Sequence, residues 1–314
     1  MLGIILRRLV NLVIILFVVG TLLFFIIRAI PGDPAIALLG STAKPEELEA
    51  LRQDLGISGP LYLQYLGWFG RVLQGDFGMS IIYDKPVLDV IADHIAPTLT
   101  IAIISTLLSF LLAVLITVWN ASSPRNWVAR ALNQLSQIGL ALPDFWLAVL
   151  LIYLIALNLR WVPTSGYTDI WVDPIASIRT LLLPVAVLVI GQGASFVIVL
   201  REGMLGQMSQ LYLRTARVKG LSEFAVAMRH ALPNALLPIL TIVGLNFAGL
   251  VGGIVILENI FVIPGLGSMM LGAINGRDFL LLQGGALFIA VLFVTVNLIT
   301  DLTYALVDPK VRVS

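Results

Sequence analysis

Long apolar stretches separated by polar segments dominate the chain. The first, residues 9–27, reads LVNLVIILFVVGTLLFFII. At about 1.5 Å per helical residue it is long enough to cross a hydrocarbon core of about 30 Å. Five more follow at about 98–119, 133–158, 181–200, 235–257 and 282–306. Placing Arg, Lys or Asp near a span centre costs about 2.5–3.5 kcal/mol, so Arg160, Arg179, Arg201 and Arg277 mark span ends. The pattern predicts an all-α polytopic membrane protein with six transmembrane helices. A signal peptide also begins with basic residues, here Arg7 and Arg8, but its apolar core is shorter and ends in a small-residue cleavage site. This stretch runs into Arg28 and Pro31-Gly32-Asp33-Pro34, and is expected to be an uncleaved first span.

Two polar regions interrupt the apolar pattern. Residues 31–97 carry nine acids and few bases, with helical pieces at Pro45–Leu55 and Leu61–Leu73. Residues 211–238 are the longer interruption in the second half. Leu213, Ala216 and Lys219 fall at helical spacing, Gly220 breaks the run, and Ser222 is placed to cap a new start. Phe224, Ala227, Met228 and Ala231 then resume the period before Pro233. This predicts a helix, a turn and a short amphipathic helix. With Arg214, Arg217, Lys219 and Arg229 around its apolar stripe, the unit suits docking into a groove on a partner protein; an ordinary loop, or a basic helix resting on lipid headgroups, has the same periodicity.

Composition narrows the class. Of 314 residues, 59% are hydrophobic and 12% charged, and the mean hydropathy is +1.01. The net charge of +1 is uninformative, because in a membrane protein the distribution of charge matters. With the N-terminus inside, the inner segments hold Arg7, Arg8, Arg125, Arg130, Arg201, the cluster from Arg214 to Arg229, Lys310 and Arg312. That is eleven of the nineteen bases, which places both termini and the 211–238 segment on the cytoplasmic side. The absence of cysteine excludes disulfides and thiolate chemistry. No G-x-x-x-x-G-K-[ST] occurs, so a P-loop ATPase would have to be another subunit. His94 and His230 are separated by several spans and support no zinc site.

The residue pattern of the second interruption is more specific. It resembles the EAA motif of bacterial ABC importer permeases: Glu-Ala-Ala, three residues, Gly, nine residues, Ile, one residue, Leu-Pro. With the motif's glycine on Gly220, its second alanine falls on Ala216 and its Leu-Pro on Leu232-Pro233. Arg214 replaces Glu, Thr215 the first Ala and His230 the Ile. Those departures are similar to the dipeptide, oligopeptide and nickel permease branch of the binding-protein-dependent type I family. Ile30-Pro-Gly-Asp-Pro-Ala, Leu55-Gly-Ile-Ser-Gly-Pro-Leu-Tyr and Gln74-Gly-Asp-Phe-Gly-Met-Ser resemble that branch's N-terminal region, and Asp301 to Pro309 its ending.

The resemblance implies a domain plan: residues 1–97 as a first helix plus extracytoplasmic segment, 98–307 as the five-helix permease core with a coupling loop at about 209–234, and 308–314 as a cytoplasmic tail. It implies a bacterial inner-membrane importer subunit that binds no cofactor and no nucleic acid itself. Its partners would be a second, homologous permease, two cytoplasmic ATPases carrying ATP and Mg, an extracytoplasmic solute-binding protein and membrane lipid. The substrates of the branch are dipeptides, oligopeptides, glutathione, opines and nickel or metal chelates, with peptide the commonest. The coupling residues expected from the motif are Arg214, Thr215, Ala216, Lys219, Gly220, Phe224, Met228, His230, Leu232 and Pro233. Phe224, Met228 and Leu232 would form the apolar face.

Candidates for the path are Asp144, Gln192, Asn246 and Glu258. Asp144 is the acid well inside a span, directly after Pro143, and at that depth an ionisable group faces protein or water. A structural hydrogen bond is the competing role for Asp144 and Gln192. Ile242, Asn246, Gly249 and Gly253 share a stripe whose glycines suit close helix packing. Glu258 lies in a Pro- and Gly-rich loop that would be either re-entrant or a tight connection. The competing class is an ion-coupled carrier or channel; an intramembrane enzyme lacks a nucleophile and base arrangement.

Overall fold

The computed structural model describes residues 2–29, 34–40, 43–54 and 56–307. Most of the Ile30 to Ala35 motif and the tail 308–314, with Lys310 and Arg312, lie outside the described residues. Among the described residues the chain is mainly helical, with one small hairpin. Helix α1 is Leu2–Ala29; α2 (Pro34–Leu39), α3 (Pro45–Asp54) and α4 (Leu61–Leu73) follow. Strands β1 (Met79–Ser80) and β2 (Lys85–Pro86) pair antiparallel and lead into α5 (Val87–Ser122). Then come α6 (Trp127–Ala141), α7 (Asp144–Leu151, continued by a π-helical stretch Ile152–Asn158) and α8 (Pro174–Met208). The last third holds α9 (Leu211–Val218), α10 (Glu223–Val226), a π-helical turn Ala227–Ala231, α11 (Leu232–Gly253), α12 (Val255–Ile260), α13 (Leu266–Asn275) and α14 (Phe279–Val307).

Among the described residues, five helical stretches are long and apolar enough to cross a membrane: Val10–Ala29, Val87–Ser122, Pro174–Met208, Glu223–Gly252 and Phe279–Thr303. The sixth expected span, 133–158, is not a continuous helix. It is broken between α6 and α7, which meet at a bend of 110°. Leu142 is forced extended (φ −85°, ψ 127°) by the proline that follows it, and Pro143 (φ −65°, ψ 134°) has no N–H to continue the helical ladder. Asp144 therefore opens α7 rather than lying in mid-helix. A second expectation also fails. The short helix before Pro233 does not end there but runs on into α11 as one span from Glu223 to Gly252. Pro233 falls in the first turn of α11, and the widened turn Ala227–Ala231 lets the chain pass it without stopping. The spans are also longer than hydropathy implied. At 36 and 35 residues, α5 and α8 exceed the roughly 20 residues a bilayer needs, and both retain an internal proline, Pro97 and Pro184.

Two compact units divide the chain, and the division falls inside α5 and α14. In the first, residues 1–96 and 264–292, Phe24 is fully buried with Trp68 and Leu287. Tyr65 meets Phe24 edge-on at 5.2 Å, and the Arg28 guanidinium lies 3.9 Å over the Phe24 ring while Nε donates to Gln64 Oε1. Elsewhere in this unit Val87, Val90 and Ile91 pack with Leu266, Met269, Ala273 and Leu281. Asp278 ties these pieces together. It is 0% exposed; Oδ2 accepts from the Ser80 hydroxyl (2.6 Å) and the Ile81 and Ile82 N–H groups (2.7 and 3.2 Å), and Oδ1 accepts from Leu281 N–H (3.0 Å). One carboxylate thus caps α14 and pins the β1–β2 turn.

In the second unit, residues 97–263 and 293–314, the core is built from Phe196, Val197, Leu200 and Met204 of α8, Leu213 and Ala216 of α9, and Val226 to Ile239 around the start of α11. Close approach is direct at Gly203, where a Cβ would lie 3.2 Å from the Ala235 carbonyl.

Replacing Asp278 by Ala orphans a buried hydroxyl and three N–H groups. We expect it to cost about 3 kcal/mol, read as a lower thermal unfolding midpoint in detergent. Asp93→Asn, which breaks an exposed pair with Lys85 (3.2 Å), should leave the midpoint unchanged.

Candidate functional site

Two places in the second unit bring the sequence-predicted residues together. The first is the connection between α8 and α11. Leu213 and Ala216, three apart, are buried against α8 and α11, which turns Arg214, Thr215 and Lys219 outward. Helix α9 ends at Gly220, whose φ of +84° is the left-handed conformation that closes a helix. The closing bonds run from Lys219 N–H to the Thr215 carbonyl (3.1 Å) and from Gly220 N–H to the Arg217 carbonyl (2.9 Å). No heavy atom lies within 4 Å of where a Gly220 Cβ would be. Backbone conformation, and not space, is what requires glycine there.

The Ser222 hydroxyl then accepts from Ala225 N–H (3.2 Å) and starts α10. Arg217 Nε donates to Glu223 Oε1 (2.8 Å) across the turn, a partly exposed pair of modest worth. Tyr212 fixes the other end: its hydroxyl accepts from Asn234 Nδ2 (3.1 Å) and lies 3.2 Å from the His230 carbonyl. The turn is thus held at both ends to elements continuous with spans.

The outward apolar face differs from the expected one. Leu232 is buried in the core, Met228 is half-buried against it, and Phe224 is exposed at 56%. Val218 (87% exposed) and Leu221 are exposed along with Phe224 instead, as are Lys219 and Pro233. The inward stripe of Leu213 and Ala216 held this information, since Val218 lies off it by two residues.

The second place is a cavity of about 730 Å³ bounded by the α6–α7 break, α8 and the later turns of α11. Asp144, Gln192 and Asn246 all line it, with Ser195. Asp144 sits at the N-terminus of α7, and a Cβ at Gly191 would lie 2.9 Å from its Oδ1. Gln192 is buried; Thr106 Oγ1 reaches its Oε1 at 3.5 Å, and its Nε2 has no hydrogen-bond partner. Asn246 Nδ2 donates to the Ile242 carbonyl of its own helix (2.8 Å). Glu258 does not line the cavity. It is 1% exposed and accepts a 2.6 Å bond from Thr98 Oγ1, a structural contact between α5 and α12. One carboxylate, two carboxamides and a hydroxyl on apolar walls are suited to binding an amphipathic solute with a cationic group and amides.

Comparison with known proteins identifies the family of the whole chain. The family described as "Binding-protein-dependent transport system inner membrane component" matches residues 107–313, and its N-terminal companion, "Binding-prot-dependent transport system membrane comp, N-term", matches residues 1–102. The chain is 38% identical over 308 residues to a probable peptide ABC transporter permease protein of Sinorhizobium fredii, covering 98% of each. It is 36% identical to a glutathione transport system permease protein of Shigella boydii over 99% of each chain. An oligopeptide transport system permease protein of Bacillus subtilis is also 36% identical, over 98% of each. With residues 1–102 and 107–313 inside these two matches, the chain belongs to the family of inner-membrane components of binding-protein-dependent transport systems.

Proposed function

We propose that this chain is one permease subunit of an ATP-driven importer, translocating a peptide-type solute delivered by an extracytoplasmic binding protein. The full-length match to peptide, oligopeptide and glutathione permeases carries this reading. A second homologous permease and two cytoplasmic ATPase subunits, which bind ATP and Mg, complete the assembly. Both termini and the α9–α10 turn face the cytoplasm. The domain plan follows: residues 1–97 as the first helix and outer segment, 98–307 as the core and 308–314 as the tail. Glutathione, an opine or a nickel or other metal chelate would use the same architecture.

In this mechanism the ATPase grips Val218, Leu221 and Phe224, with Arg214, Thr215 and Lys219 at the edge. Movement of the turn reaches the cavity because α9 is packed on α8 and α10 is continuous with α11, and α8 and α11 both line that cavity. Nucleotide drives the change by its differential affinity for the two states, and in no other way. Asp144 receives the solute's ammonium group, and Gln192 and Asn246 pair with its amides.

The assembly is tested by mass spectrometry of what co-purifies with the chain in mild detergent. One or two P-loop ATPases and a second six-span protein are expected. A chain recovered alone across detergents would favour an ion-coupled carrier. Gly220→Val places a β-branched residue at positive φ, at a strain of about 1–2 kcal/mol. It should lower solute uptake more than tenfold with membrane abundance unchanged, while Gly220→Asn, which tolerates that conformation, keeps most activity. Normal uptake by the valine variant would refute the role of the turn. Asp144→Asn should lower uptake of a free dipeptide about tenfold and leave its N-acetyl derivative unaffected; equal effects on both would remove Asp144 from substrate contact.

A further inference from the structure

A second cavity, of about 560 Å³, lies among the last turns of α5, the first half of α6 and the end of α8. Arg130 and Arg201 both line it, and no acidic residue does. Arg201 makes no ion pair or side-chain hydrogen bond among the described residues, and Arg130 reaches only the Arg125 carbonyl, at 3.2 Å. Thr117 and Asn133 lie in the same wall and are 2% and 7% exposed. The Thr117 hydroxyl oxygen is buried with no hydrogen-bond partner. Buried polar atoms are nearly always paired, so this hydroxyl is a free donor just behind the cavity wall. The carboxamides of Asn120 and Gln137 add further donors.

Both guanidiniums line one cavity whose wall holds no counter-charge, so an anion entering it is attracted by both. Their forked donors match the oxygens of a phosphate, and Thr117 and Asn133 supply neutral donors below. The position argues for where that phosphate comes from. Trp119 and Trp127, 40% and 74% exposed, flank the α5–α6 connection, and exposed tryptophans collect at the headgroup level of a bilayer. Met204, Leu205 and Met208 give the cavity an apolar side, suited to the glycerol region of a lipid.

This site is separate from the candidate path. On α8 the first cavity uses Leu188, Gly191, Gln192 and Ser195, and the second uses Arg201, Met204, Leu205 and Met208. At about 100° per residue the two sets centre roughly 140° apart around the helix. A solute in the first cavity therefore does not enter the second by moving along one face of α8. We propose that the Arg130–Arg201 cavity is a binding site for a phosphate oxyanion, supplied by the headgroup of an anionic phospholipid or by free phosphate.

The full chain, purified in detergent with its co-purifying partners and stripped of lipid, is titrated with fluorescent phosphatidylglycerol. Arg201→Gln is expected to weaken binding about fivefold, and Arg130→Gln with Arg201→Gln about 25-fold. Arg125→Gln, outside the cavity, should bind as the unmodified chain does. Displacement of the lipid by inorganic phosphate identifies free phosphate as a ligand, and resistance to it identifies the headgroup; both support an oxyanion site. Thr117→Val keeps size and charge, so it decides the matter if the double variant does not fold, with about fivefold weaker binding expected. Phosphatidylglycerol binding unchanged in the folded double variant, or in Thr117→Val where the double variant does not fold, overturns the proposal.

Discussion

Within a bilayer no water is available to satisfy a broken backbone hydrogen bond, so each interruption of a helix must be completed by the protein itself. This chain has few interruptions, and each one places something. Pro143 stops α6 and starts α7 at a bend of 110°, and so puts the Asp144 carboxylate at a helix N-terminus facing a cavity. Pro233 is absorbed by a widened turn, which keeps the surface segment and the span one mechanical body. At the start of α14 Asp278 accepts the cap bond and three others from the β1–β2 turn, 196 to 198 residues away in sequence.

The same constraint explains how a surface turn can act on a cavity inside the membrane. A flexible loop would dissipate displacement, whereas α9 is held by Leu213 and Ala216 in the core, and by Tyr212 to Asn234 and the His230 carbonyl. The left-handed Gly220 sets the angle between α9 and α10, and α10 has no break before Gly252. Force applied at Phe224 or Val218 therefore moves helices that also carry Gln192 and Asn246. The residues proposed to receive the push and the residues that face the cavity lie on the same helical elements.

Much of this was legible in the chain. Apolar runs located the spans, and the spacing of Leu213, Ala216, Gly220 and Ser222 gave the helix, turn and cap, because these are local features with local causes. The break at Pro143 and the continuity through Pro233 were not legible. Both positions show a proline in an apolar helical pattern, and whether the helix bends or widens depends on what packs around it. The buried bond of Glu258 was hidden for a related reason: an acid beside a Pro- and Gly-rich loop has the composition of a gate, and only the position of Thr98 on α5 reveals the contact. Asp278 carried no sequence signal for its distant partners, and the inward stripe of α9 already implied that Val218, rather than Leu232, faces outward.

Helix α8 separates two sites of opposite chemistry. On one face Asp144 and two carboxamides surround a cavity with no basic residue in its wall; on the other, Arg130 and Arg201 surround one with no acid. Were the carboxylate and the guanidiniums in one cavity, they would neutralise each other, since a close pair in a low-dielectric setting outcompetes a transient ligand. Kept on opposite faces, each charge stays available to an external partner, the acid to a cation within the span and the arginines to an anion at its end. A rigid helix is what permits this, because its roughly 10 Å diameter and fixed angular spacing hold the two faces apart while its length connects both to the turn at Gly220.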